Sequence, residues 1–179
     1  HDAAPLKDSL MNLATTNEAG AVYNTYLNSF KNEDGSVNWL PVCADAHGFV
    51  VNRSLFEKYG IPLPTDYDSF VSACKAFEKH GIRGFDADYT YDYTCMETLQ
   101  GLSVSELSSA EGRQWRAAYS DPANTEKVGL DDTVWPTAFK NLENFIRDTG
   151  LNAADLTLNY DDIMTRMRGG ELAMFFGTS

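Results

Sequence analysis

The chain has 179 residues, of which 43% are hydrophobic and 12% aromatic, enough for a packed core and too much for disorder. Its 26 Asp and Glu outweigh 14 Lys and Arg, and the net charge of −12 sets it against phosphate backbones and anionic lipid surfaces. No apolar run reaches the length of a membrane span, and the three cysteines, Cys43, Cys74 and Cys95, have no metal-knuckle spacing. They read as three buried free thiols, with one bridge plus a free thiol as the alternative.

In chain order, residues 19–31 place Val22, Tyr23, Tyr26, Leu27 and Phe30 at helical spacing, and 32–35 form a turn. Gly48–Asn52 reads as a strand and Ser54–Tyr59 as a short helix ended by Gly60. Thr65 then caps a longer helix, with Asp68 reaching back and Tyr67, Phe70, Val71, Cys74 and Phe77 forming its inner face. Gly81 stops it, and Ile82–Phe85 is a strand. Tyr91–Leu102 continues as a helix with Cys95, Met96, Leu99 and Leu102 inward, and Glu111–Tyr119 as another with Trp115, Ala118 and Tyr119 inward. Pro136 opens a helix whose inner set is Phe139, Leu142, Phe145 and Ile146, closed by Gly150. Asn159 and Asp162 cap a last helix carrying Ile163, Met164 and Met167, and Leu172–Phe176 is the final strand. Strands separated by more numerous helices indicate an α/β domain with a small sheet, spanning residues 1–179 without an internal linker. The chain starts at His1 without a methionine and stops at Ser179 just after an apolar strand, as a segment cut from a longer protein does.

Catalytic signatures for zinc proteases, serine hydrolases and nucleotide binding are absent. A thiol catalyst would have to pair Cys43 with His47. From Asp86 to Glu97, oxygen side chains occupy alternate positions in the manner of a calcium loop, but Tyr91 stands where such a loop needs glycine. The same segment, with Tyr89, Tyr91 and Tyr93 among Asp88 and Asp92, also reads as a polar surface loop or as a ligand-facing loop. Flat aromatic faces stack on the C–H faces of sugars while carboxylates accept from their hydroxyls. Paired carboxylates among Asp45, Asp86, Asp88 and Asp92 could alternatively serve glycoside hydrolysis.

Three stretches carry a family resemblance. GSVNWLPVCAD from Gly35 to Asp45 resembles the turn that enters the cleft of extracellular solute-binding proteins. FVVNRSLFEKYGIPLPTDYDSF from Phe49 to Phe70 is similar to their most specific signature, and MRGGELAMFFG from Met167 to Gly177 to a later strand. Together they resemble the carbohydrate-specific, maltodextrin-binding-like group of ABC importers, across Ala19 to Gly177. The resemblance implies a helix-rich α/β lobe around a small mixed sheet, of the type II periplasmic-binding-protein class, forming most of the second of two lobes. It implies Asp45 and the Tyr91, Asp92 and Tyr93 loop as sugar contacts, to which His47 and Asp86 are added as candidate ligand-binding residues, Asn52 as a structural cap, and no catalytic residue, metal or cofactor. The implied partners are a carbohydrate and a membrane permease, with no nucleic acid. The implied setting is extracellular or periplasmic, lipid-anchored, and monomeric. A hydrolase, or a sugar-sensing domain of a receptor, is the alternative.

Overall fold

The computed structural model describes residues 9–43, 45–121, 123–124, 128–131 and 133–178; His1 and Ser179 lie outside the described residues. The chain divides into two compact units, His1–Ala46 and His47–Ser179.

The first unit holds two short helices, α1 (Asn17–Gly20) and α2 (Asn24–Ser29), where the periodicity suggested one. Thr16 caps α1 through its side-chain oxygen, which accepts from the Ala19 N–H. Of the expected apolar stripe only Leu27 is buried, with Ala19 and Val37, while Tyr23, Tyr26 and Phe30 face solvent. The chain breaks between Gly20 and Asn24, so the stripe does not run along one helix.

The second unit is built on a three-stranded sheet of β1 (His47–Val51), β2 (Arg83–Asp86) and β3 (Leu172–Thr178). The order is β1-β3-β2, with β3 parallel to β2 and antiparallel to β1. A parallel pair needs a long crossover, and four helices supply it: α5 (Asp92–Ser108), α6 (Ala110–Ser120), α7 (Trp135–Thr149) and α8 (Tyr160–Gly169). Between β1 and β2 come α3 (Arg53–Tyr59) and α4 (Tyr67–Glu78).

Asn52 caps α3 with its side chain and also donates to the Met167 carbonyl at 3.1 Å, the structural role the resemblance assigned to it. Asp66, not Thr65, caps α4, because Ser69 three residues on can return the bond to the cap residue. The buried face of α4 is Phe70, Ala73, Cys74 and Phe77; Tyr67 lies half out of it and bonds Asp148 instead. In α7 the rule holds for Phe145, but Phe139 and Ile146 are exposed, and Ala138 and Thr149 are buried in their place. α6 buries only Gly112, and Tyr119 is exposed.

Phe85 and Met174, paired in the sheet, join Phe56, Phe70, Phe77 and Phe145 in the main core. Neighbouring strand residues point to opposite faces, so Asp86 and Phe175 turn toward α8, where Phe175 packs with Leu158, Ile163 and Leu172. The three cysteines are free; Cys74 is buried as expected, but Cys43 and Cys95 are exposed.

Candidate functional site

In open α/β sheets ligands gather beyond the carboxyl ends of the parallel strands. Here that edge holds the ends of β2 and β3 and the start of β1, since His47 pairs with Thr178 and Asp86 with Phe175. The five residues after β2 leave the sheet there and lead into α5.

Local bonds give that loop one shape. Tyr89 N–H donates to the Ala87 carbonyl at 3.0 Å and Tyr91 N–H to the Asp88 carbonyl at 3.2 Å. The Thr94 hydroxyl donates to Asp88 Oδ1 at 3.0 Å. Thr90 donates to the Leu158 carbonyl twice, from N–H at 3.2 Å and from its hydroxyl at 2.7 Å. Tyr89 is thereby turned inward, and burial pushes its phenol up to about 12. Tyr91 and Tyr93 are left outside, 41% and 57% exposed. Their rings lie 5.3 Å apart at 19°, a stacked and exposed pair. Asp92, between them, is exposed at the first position of α5.

Along α5 from Tyr93, helical spacing brings Glu97, Gln100 and Val104 to the same side. His47 Nδ1 stands 3.4 Å from Glu97 Oε1, and the His47 ring lies 6.3 Å from Phe176. His47, Glu97, Gln100, Gly101, Val104 and Phe176 line a groove of about 360 Å³. Glu97, Gln100 and Phe176 are groove-lining residues that the sequence reading does not name. For Glu97 and Gln100 the signal was the helical spacing from Tyr93; Phe176, on β3, had none.

The other sequence-derived residues are placed differently. Asp45 is exposed in the first unit. Asp86 is fully buried: its Oδ1 accepts from Ala87 N–H and its Oδ2 from Arg166 Nη1, both at 3.0 Å. With no exposed surface it does not line the groove, because ion pairing to α8 draws it inward. Burial, then the charge of Asp155, pushes its carboxyl up to about 6.

The calcium-loop pattern is not realised. Asp86 is locked at a strand end and Asp92–Glu97 are helical. Among the described residues no group of three or more acidic, histidine or cysteine side chains could hold a metal. No described helix is long and apolar enough to cross a membrane. α5 also turns differently from its expected face: Thr94, Thr98 and Ser103 are buried, and Cys95 and Met96 are exposed. The Thr98 hydroxyl donates to the Thr94 carbonyl at 2.8 Å, so these polar side chains enter the core already satisfied.

Comparison with known proteins agrees with this architecture. RafE from Streptococcus pneumoniae, in its apo form, is similar with a TM-score of 0.76 and 19% identity, over 99% of this chain and 45% of that one. A sugar transporter from Bacillus licheniformis, in complex with stachyose, is similar with a TM-score of 0.70 and 14% identity, over 97% and 44%. A probable secreted solute-binding lipoprotein from Streptomyces coelicolor follows with a TM-score of 0.71 and 18% identity, over 98% and 41%. The chain therefore spans less than half the length of these structures, and shares with them a helix-rich lobe around a small mixed sheet, of the type II periplasmic-binding-protein class. No curated protein matches it. Residues 2–179 match the family model described as bacterial extracellular solute-binding protein, and the chain belongs to that family.

Proposed function

We propose that the chain supplies a sugar-binding wall in a protein that captures a sugar or oligosaccharide outside the cell and delivers it to the permease of an ABC importer. The observation that carries this reading is the exposed, stacked Tyr91–Tyr93 pair beyond the carboxyl end of β2. A pyranose ring lies against such a face, and Asp92, Glu97, Gln100 and His47 offer the polar groups its hydroxyls need. Asp45, exposed in the first unit, is proposed as a hydroxyl acceptor on its own account. The relatives point the same way: one is named as a chitin oligosaccharide binding protein, and RafE is described in complex with raffinose.

Capture needs no chemistry on the sugar. Glycoside hydrolysis needs an acid whose pKa is raised beside the scissile bond. Asp86, whose carboxyl burial pushes up to about 6, is buried and engaged by Arg166 rather than placed beside a bound sugar. We therefore read the protein as a binding protein without catalytic activity, monomeric, and anchored by lipid at the cell surface. Good ligand sites bury about 70–90% of their ligand. One wall cannot do so, and the remainder of the cleft belongs to parts of the protein beyond this chain.

The test is a thermal-shift screen of the whole protein with raffinose, stachyose and chitin oligosaccharides, followed by an assay for new reducing ends. The reading predicts stabilisation by an intact sugar and no turnover. Release of reducing ends, or no stabilisation by any carbohydrate, contradicts it.

A further inference from the structure

The loop that presents Tyr91 and Tyr93 has two roots. One is Thr90, bonded twice to the Leu158 carbonyl. The other is Asp86, whose carboxylate accepts at once from the first N–H of the loop and from Arg166 of α8. Arg83 stands behind it, with Nε 3.8 Å from Asp86 Oδ2 and Nη2 2.8 Å from Asp155 Oδ2. Arg83 also donates to the Gly150 carbonyl at 3.2 and 3.1 Å, and Asp155 accepts from Asn152 N–H at 2.8 Å. Asp155 opens the turn that ends at Leu158, so both roots meet in one segment. The charged and titratable groups around Asp86 are Arg83 on β2, Arg166 on α8, Asp155 on that turn and Tyr89 in the loop. Its neighbour on β3 is Phe175.

A cluster of this kind is poorly explained by stability, because apolar replacements of buried ion pairs are often at least as stable. What it does supply is position. We propose that Asp86 is a positioning residue for sugar binding: ionised, it clamps the root of the 87–91 loop to α8 and holds Tyr91 and Tyr93 where a sugar meets them. This rests on the reading of those tyrosines as sugar contacts.

The clamp needs two acceptors. An ionised carboxylate offers them on both oxygens. A protonated carboxyl, or an asparagine, turns one of the two into a donor, which then faces either Ala87 N–H or Arg166, both donors themselves. Burial and the nearby Asp155 bring the protonation into mildly acid solution, near 6. The loop is therefore held above that pH and loosened below it. Loss of one such buried bond corresponds to a weakening of about three- to tenfold in affinity.

Two readings on the whole protein test this: raffinose binding by titration calorimetry at about pH 7.5 and about pH 5, and hydrogen exchange of the 87–91 amides relative to those of α4. Wild type should lose affinity between the two pH values. Asp86→Asn should start at the weakened level and stay flat, with loop amides exchanging faster than in wild type while α4 is unchanged. A flat wild-type profile, wild-type loop protection in Asp86→Asn, or a profile that survives in Asp86→Asn and vanishes in His47→Gln overturns the proposal. If raffinose does not bind wild type, the exchange comparison still decides the clamp, and it is the choice of sugar or the sugar reading itself that has failed. Should Asp86→Asn not fold, Arg166→Gln, at a partly exposed side chain, breaks the same clamp and is read in the same two assays.

Discussion

Replacing Phe70 by alanine removes a ring from the middle of a four-phenylalanine cluster. Phe70 is 3% exposed, and its ring centre lies 4.9 Å from Phe49, 5.5 Å from Phe85 and 5.9 Å from Phe145. Emptying a fully enclosed site of this size costs about 3–5 kcal/mol. Here one side is not enclosed: Phe49, Phe70 and Phe145 border a groove of about 480 Å³ that also reaches Leu63 and Tyr67. Water and neighbouring side chains can enter the gap from that groove, which places the expected loss near the lower end, about 3 kcal/mol. Phe70→Leu keeps most of the volume and forfeits the ring pairings, so its loss should be about 1–2 kcal/mol. Urea unfolding followed by far-UV circular dichroism measures both, and a slope of about 1–3 kcal/mol per molar turns the alanine loss into a midpoint shift of about 1–3 M. An alanine variant within about 1 kcal/mol of wild type, or leucine as costly as alanine, would refute the assignment of Phe70 to the centre of this core.

Further outcomes follow from other parts of the unit. Gly84→Ala should destabilise by about 1–3 kcal/mol in the same assay, because an added Cβ meets Cys74 Cβ at 2.7 Å and its carbonyl oxygen at 3.0 Å. A Cys74→Ala second change should give no rescue, since the conflict is with Cβ and backbone rather than with sulfur. Alkylation of the native protein should label Cys43 and Cys95, and Cys74 only after denaturation, its thiol being buried and pushed up to about 12; mass spectrometry counts the labels, and a native third label contradicts the placement. Asp86, raised from the ordinary aspartate value to about 6 in the folded protein, favours folding most below about pH 4 and loses that contribution as pH rises through about 6. Relative to Asp86→Asn, wild type should thus gain up to about 3 kcal/mol on going from neutral pH to about pH 4, and a pH-independent difference refutes the assignment.

Much of the second unit is legible in the sequence because its signals are local. Asn159 and Asp162 predict the reciprocal cap that α8 has, and Gly60 and Gly150 end their helices in the left-handed conformation that glycine tolerates. The errors come where a residue's place depends on a distant partner. The inner face of α5 was sought among Cys95 and Met96, yet Thr94 and Thr98 go inside because the loop's Asp88 and Tyr89 meet their hydroxyls. Asp86 reads as one more surface acid until Arg166, eighty residues later, is brought against it by β3 and α8. The exposure of Tyr91 and Tyr93 is legible because aromatics among carboxylates just after a strand stand out in sequence alone. Their stacking, and their separation from the inward Tyr89, are set by the Thr90–Leu158 bonds and are not legible there.

The stacked tyrosines bear the functional account, so the most direct measurement is sugar affinity in the whole protein after removing each ring. Calorimetry with the sugar that stabilises wild type most should show Tyr91→Ala and Tyr93→Ala each weakening binding by about 1–3 kcal/mol, the scale of a lost ring face and phenol bond. Tyr119→Ala, which removes an exposed ring from the partner of Trp115 on α6, should leave affinity at the wild-type value. Wild-type affinity in both Tyr91→Ala and Tyr93→Ala would contradict the account and move the sugar away from this edge of the sheet.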